Sequence, residues 1–161
     1  MIIRKATALD IDDIYLVESI CFPALEAATK QCIEERISNL NDYFWVAEQD
    51  DKIVGIITGC CTNSNKIYDE LYEDIALHNP HGDYYAIFSL AVLPEYQKQG
   101  VASQLMNKAI NLSKENNQKG LVLACKDKLI SMYTHLGYSH LGVSNSKHGG
   151  AIWHDMIYLF E

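Results

Sequence analysis

The segment Tyr84–Leu112, YYAIFSLAVLPEYQKQGVASQLMNKAINL, constrains this chain more than any other. Its first part is apolar almost throughout, as expected of a strand covered on both faces, and Pro94 ends it. Beyond a polar run, Val101, Leu105, Met106, Ala109, Ile110 and Leu112 fall on one face of a long helix. A buried strand that turns within a few residues into an amphipathic helix points to a layered α/β architecture.

The flanking sequence agrees. Ile2–Ala6 reads as a short strand, and Thr7 with Asp10 makes a T-x-x-D capping box for a helix carrying Ile11, Ile14, Tyr15 and Val17. The proline of CFPALEAA interrupts it, and a second helix runs to roughly Asn39. YFWVAEQDDKIVGIITGCC holds two β-rich runs joined by an acidic turn, a hairpin signal. Residues 63–83 are polar and acidic, yet Ile67, Leu71, Ile75 and Leu77 recur near helical spacing. That segment is expected to be an excursion containing a helix. GLVLAC is another strand, LISMYTHLG a short helix closed by Gly137, and final strands lie near Tyr138–Val143 and Trp153–Phe160. The order β-α-α-β-β-(insert)-β-α-β-α-β-β, with no repeat or linker, predicts a single α/β domain spanning 1–161.

Charge and cysteine usage narrow the function classes. A net charge of −8 argues against nonspecific nucleic-acid binding, because few phosphates could be neutralised, and it fits a small cationic substrate better. Five cysteines (Cys21, Cys32, Cys60, Cys61, Cys125) form an odd set without a CxxC pair, which reads as buried free thiols in a reducing compartment. No apolar run approaches membrane-spanning length, and the start lacks a signal-peptide core. A cytoplasmic protein is expected.

The junction at Gly100 carries the chemistry. The first N–H groups of a helix have no intrahelical partners and bear partial positive charge. A glycine just before them lets a ligand approach the backbone, a small Ala102 keeps the path open, and Lys98 adds charge. Such a helix start is a natural seat for a pyrophosphate.

Gln97-x-x-Gly100-x-Ala102, following the strand SLAVLPEY, resembles the Q/R-x-x-G-x-G/A signature of the GNAT N-acetyltransferases. Downstream, CKDKLISMYTHLGY is similar to that family's closing strand, tyrosine-bearing helix and Gly-aromatic pair, here Gly137-Tyr138. The resemblance covers essentially the whole chain. It implies the GNAT fold, a mixed and mostly antiparallel sheet with helices on both faces, and acetyl-CoA as cosubstrate. It assigns the pyrophosphate to Gln97, Lys98, Gln99, Gly100, Val101, Ala102 and Ser103, and the thioester and pantetheine to the backbone of Leu90, Ala91 and Val92. DELYEDIALHNPHGD, LAVLPEYQKQG and the strand end at Cys125 look in addition like the arylalkylamine (serotonin) N-acetyltransferase branch.

Amine acetylation needs a neutral amine, a polarised thioester carbonyl and a proton for the departing thiolate. By resemblance the backbone of Leu90–Val92 polarises the carbonyl, and Tyr133, four residues before Gly137, returns the proton. The base is not supplied by the motif: Ala86 and Phe88 stand where arylalkylamine enzymes carry a His-x-His pair. Glu26, Glu70, Glu73 and His148 are candidates, as is a water chain. Glu26, after a Phe-Pro turn, could hold an ammonium, with Phe22, Tyr43 or Phe88 as an aromatic wall; core packing is an equal role for Phe22 and Phe88. His154 and Asp155 alternate across a strand, so no metal site is expected. Cys125, at a strand end among apolar residues, reads as structural rather than nucleophilic.

The expected activity is acetyl transfer to a primary amine of a small molecule by direct attack in a ternary complex. The alternatives are a protein or peptide amine as acceptor, or a non-catalytic acyl-CoA-binding module. No nucleic-acid or membrane partner is expected, and a homodimer is a candidate assembly.

Overall fold

The computed structural model describes all 161 residues. The strands are β1 (Ile2–Lys5), β2 (Phe44–Gln49), β3 (Lys52–Thr62), β4 (Tyr84–Val92), β5 (Gly120–Cys125), β6 (Ser139–Val143) and β7 (His154–Leu159). The helices are α1 (Ile11–Cys21), α2 (Lys30–Asn39), α3 (Asp69–Glu73), α4 (Val101–Glu115) and α5 (Ile130–His135). One seven-stranded sheet has the order β1-β2-β3-β4-β5-β7-β6. β4 and β5 pair in parallel, while β1–β2, β2–β3, β5–β7 and β6–β7 pair antiparallel, so the sheet is mixed and mostly antiparallel as expected. No helix is long and apolar enough to cross a membrane.

The chain forms two compact units, each assembled from two separated stretches: Met1–Gly59 with Ser89–Ala109, and Cys60–Phe88 with Ile110–Glu161. In the first unit, Asp10 accepts the Thr7 N–H at 2.8 Å and closes the capping box that the sequence signals. Arg4 holds the same carboxylate at 2.8 and 3.0 Å and reaches Glu48 at 3.1 Å, tying the entry of α1 to β1 and β2. That guanidinium keeps the Asp10 carboxyl below its usual pKa. The acidic hairpin turn has Asp50 and Asp51 at φ 53° and 60°, the left-handed pair of a type I′ connection. Ile14, Val17 and Ile33 from the helices pack with Phe44, Val46, Ile56 and Ala91 from the strands in one apolar cluster. Each of these buried Ile, Val and Phe side chains contributes about 1.5–3 kcal/mol relative to exposure.

The second unit contains the excursion, where the structure departs from the expectation of one helix. Only Asp69–Glu73 is α-helical, and a separate 3-10 turn follows at Ile75–Leu77. Asp74 causes the break: it lies extended at φ −124° and its side chain accepts the Ala76 N–H at 3.0 Å, capping a new turn rather than continuing the old. The apolar spacing is nonetheless used, since Ile67 and Leu71 are buried. Close backbone approaches fix the rest of the unit. A Cβ on Gly120 would collide with the Tyr158 carbonyl oxygen where β5 pairs with β7, so only glycine fits there.

Candidate functional site

The loop between β4 and α4 is built from backbone. Val92 closes β4, and its carbonyl accepts the Gln97 amide at 3.0 Å and the Cys21 thiol at 3.4 Å. The Leu93 N–H donates to the Val54 carbonyl at 2.8 Å. These bonds pin the strand end while the chain turns through left-handed conformations at Lys98 (φ 61°) and Gly100 (φ 86°). Alternation of this kind lets successive N–H groups converge on an anion. A Cβ on Gly100 would meet nothing within 4 Å, so the approach to the start of α4 is open. Val101 is buried and roots the helix, Ala102 is half-buried, and Lys98, Gln99 and Ser103 are exposed.

The residues assigned to the cofactor therefore divide. Lys98, Gln99, Gly100 and Ser103 present themselves to solvent at the helix start. The Gln97 side chain instead turns back onto β4, so its contact there is structural. Ala91 and Val92 pack inward and Leu90 is half-buried; what these three residues can offer a thioester is backbone.

A carboxylate that the sequence reading passed over sits beside that strand. Glu18 on α1 is 2 % exposed, and its Oε1 accepts the Ser89 hydroxyl at 3.1 Å and the Ala28 N–H at 3.4 Å. The detectable signal was a charge on the apolar stripe of α1, four residues after Ile14 and three before Cys21. Phe22 is half-buried against the apolar cluster of its unit, the packing alternative named for it. Glu26 is half-buried in a tight turn, where the N–H groups of Glu26 and Ala27 both donate to the Pro23 carbonyl at 2.9 Å.

The second unit holds Tyr133 and a group of rings. Tyr133 on α5 is 6 % exposed, and burial pushes its phenol well above the usual tyrosine pKa, with smaller contributions from Cys125 and Tyr72. Its ring meets Tyr138 edge-on at 5.6 Å. A phenol so placed stays protonated through the physiological range. Burial also pushes the Cys125 thiol up to about 11, leaving no thiolate to act as nucleophile.

Tyr72, on α3, is the ring the sequence did not single out. It stacks on His148 at 4.8 Å and an interplanar angle of 10°, and it meets Phe88 of β4 at 5.4 Å. Trp153 donates its indole N–H to the His148 carbonyl at 2.8 Å, and Lys126 sits 5.8 Å over the Trp153 ring. One turn before Tyr72, Asp69 accepts the Ser146 hydroxyl and, at 3.0 Å, the Lys147 N–H. Helix α3 is thus fastened twice to the loop before β7. Glu70 and Glu73, candidates for the base, are both solvent-exposed.

The model of the Acetyltransferase (GNAT) family matches residues 11–138, a span that includes the Gly100 junction and Tyr133. The chain belongs to the GNAT acetyltransferase family. Streptothricin acetyltransferase A of Bacillus subtilis (strain 168) is 31% identical over 137 residues, covering 80% of this chain and 78% of that protein. Two solved structures share the fold at lower identity. A GNAT-like decarboxylase, GphF, in complex with isobutyryl-CoA superposes with a TM-score of 0.84 at 16% identity, covering 99% of each chain. The ribosomal-protein-S18-alanine N-acetyltransferase of Escherichia coli superposes at 0.70 and 16% identity, over 98% of this chain and 92% of that one. As a GNAT enzyme the protein is an acetyltransferase, and acetyl-CoA is the acyl donor of its family. Donor and fold follow from membership, whereas relatives on one fold differ in acceptor and chemistry.

Proposed function

We propose that this GNAT enzyme transfers the acetyl group of acetyl-CoA to a primary amine of a small molecule, by direct attack in a ternary complex. The observation that carries the reading is the double fastening of α3, through Asp69 and Tyr72, to residues 146–148. It gives the second unit a fixed aromatic wall of Tyr72, His148 and Phe88, suited to a compact amine rather than a passing polypeptide. Residues 98–103 seat the pyrophosphate, with Gly100 and the first amides of α4 as the core of the seat. The backbone of Leu90–Val92 polarises the thioester carbonyl, and Tyr133 returns a proton to the sulfur. Glu26 contributes to acceptor binding from the α1–α2 loop, which Phe22 anchors by packing on the apolar cluster.

Direct attack is supported by the raised pKa of Cys125, which keeps that thiol protonated and unsuited to forming a covalent acetyl-enzyme. The relative of 31% identity supports a small acceptor, since its name gives streptothricin as what it acetylates. Within the class, the excursion and loop motifs favour an arylalkylamine, for which an aromatic wall provides stacking area. The test is an acetylation screen across arylalkylamines, polyamines, amino sugars, streptothricin and short peptides, reading released thiol. Turnover confined to small amines is expected. Turnover of peptides alone would replace the reading with a protein acceptor, and CoA binding without any turnover would replace it with a binding module.

A further inference from the structure

Within the second unit, strand register sets one more carboxylate on the face that carries the rings. Ala86 of β4 pairs with Val122 of β5, and Val122 pairs with Ile157 of β7, so the three share one face of the sheet. Two residues along each strand, Phe88, Ala124 and Asp155 continue that face, with Ala124 directly opposite Asp155. Trp153 lies on it too. The Ser144 N–H donates to the Trp153 carbonyl at 2.8 Å, which carries the β6–β7 pairing past His154 and sets Trp153 two residues from Asp155.

The rings form an arch on this face. Trp153 meets His148 at 5.9 Å, His148 stacks on Tyr72 at 4.8 Å, and Tyr72 meets Phe88 at 5.4 Å. One foot of the arch is therefore on β4 and the other at the head of β7, the strand of Asp155. Asp155 is 5 % exposed, and its Oδ1 is buried with no hydrogen-bond partner in the chain. Asp69, the other aspartate at the arch, has both oxygens engaged, by the Ser146 hydroxyl and the Lys147 N–H.

The strand partners of Asp155 offer it no donor side chain. Ala124 carries a methyl group and Gly142 only hydrogen, and a Cβ on Gly142 would meet nothing within 4 Å. A buried carboxylate oxygen is costly unless it is bonded, so this one is set for a donor that the chain does not provide. A metal ion does not fit, because no group of three or more His, Cys, Asp or Glu side chains could hold one. An alkylammonium does fit: it is a compact cation with three N–H donors, and aromatic faces attract it.

We infer that Asp155 binds the ammonium group of the acceptor while the arch from Phe88 to Trp153 takes its hydrocarbon part, so that the ligand class is a short arylalkylammonium. This rests on the amine reading above and adds the residue that recognises the acceptor's charge. Asp155 has a binding role: it holds the cation, and its loss is felt in affinity rather than in the chemical step. The selectivity is for charge. A neutral molecule of the same shape fills the arch but leaves the carboxylate without its ionic partner.

The test is calorimetric titration of the enzyme, saturated with CoA so that nothing turns over, with phenethylammonium chloride and with its neutral counterpart phenethyl alcohol. The parent is expected to bind the ammonium about 10-fold or more tighter than the alcohol, and Asp155→Asn to lose about 10–100-fold for the ammonium, the range of a charge-assisted hydrogen bond. Affinity for the alcohol, affinity for CoA and the thermal midpoint should stay at parental values. Asp155→Asn that weakens both probes alike reduces Asp155 to a structural residue and overturns the inference. Unchanged ammonium affinity in that variant overturns it too, since a buried water would then suffice for Oδ1. If Asp155→Asn does not fold, the parent alone decides: equal affinity for ammonium and alcohol refutes a charged anchor. The acetylation screen separates the two readings. A parent that acetylates only peptides refutes the amine reading and with it the acceptor role of Asp155. A parent that acetylates small amines, beside an Asp155→Asn variant that binds them as well, leaves that reading intact and refutes the anchor.

Discussion

The Gly100 loop and the Tyr72–Tyr133 region are built by different means. The loop is backbone: two left-handed residues, a helix start and an open approach, in about ten consecutive residues. The Tyr133 region is side chains gathered from α3, β4, α5 and the loop before β7, with partners as far apart in sequence as Asp69 and Ser146. A backbone site tolerates changes in most of its side chains and fails at the one residue whose φ it requires. A side-chain site fails ring by ring. The GNAT relatives fit this division, sharing a fold at about 16% identity while their named acceptors and reactions differ.

If the division holds, substitutions should separate cofactor binding from turnover. The largest effect is expected for Tyr133→Phe: kcat falls by about 10²–10⁴, the usual contribution of a positioned proton donor, while the CoA dissociation constant stays within about twofold. Stopped-flow thiol release and calorimetry read the two quantities. Equal losses in both would mean that Tyr133 organises the whole fold rather than the proton.

Gly100→Val comes next, with the opposite signature. The φ of 86° costs a β-branched residue about 1–2 kcal/mol, and its side chain enters the open approach. CoA affinity should drop by about 10-fold or more, with kcat at saturating acetyl-CoA little changed. Unchanged affinity would rule out the pyrophosphate seat.

Tyr72→Ala sharpens the second half. Removing the ring between His148 and Phe88 should raise KM for the amine by about 5–30-fold, an aromatic contact of roughly 1–2 kcal/mol, and leave KM for acetyl-CoA alone. An increase in the acetyl-CoA KM instead would move Tyr72 to the cofactor side of the comparison.

The same contrast explains what could be read from the sequence. Gly100 was legible because a positive φ beside a helix start is a local demand that glycine meets. The Thr7–Asp10 box, the Asp50–Asp51 turn and the apolar strand β4 were legible for the same reason: each is decided within a few residues. The excursion was half legible, since apolar spacing located Leu71 in the core, but the Asp74 side chain outcompeted helix continuation. Tyr72 had no local signal at all, because its partner His148 lies 76 residues on and only the tertiary fold brings them together. Glu18 was marked by its place on the apolar face of α1, yet its meaning depends on Ser89, 71 residues away.

The smallest effect is expected at Cys125, and it tests the central claim most directly. With its thiol pushed up to about 11, Cys125 is protonated at every pH below that value and offers no nucleophile at pH 7 to 8. The decisive measurement is the intact mass of the enzyme after incubation with acetyl-CoA alone and after addition of the amine, for the parent and for Cys125→Ala. Direct transfer predicts an unmodified chain in both, N-acetylated amine only after the amine is added, and turnover of Cys125→Ala within about threefold of the parent, the effect of a packing change alone. An acetyl group on the parent chain that the amine removes, and that is missing from Cys125→Ala together with activity, would contradict the account.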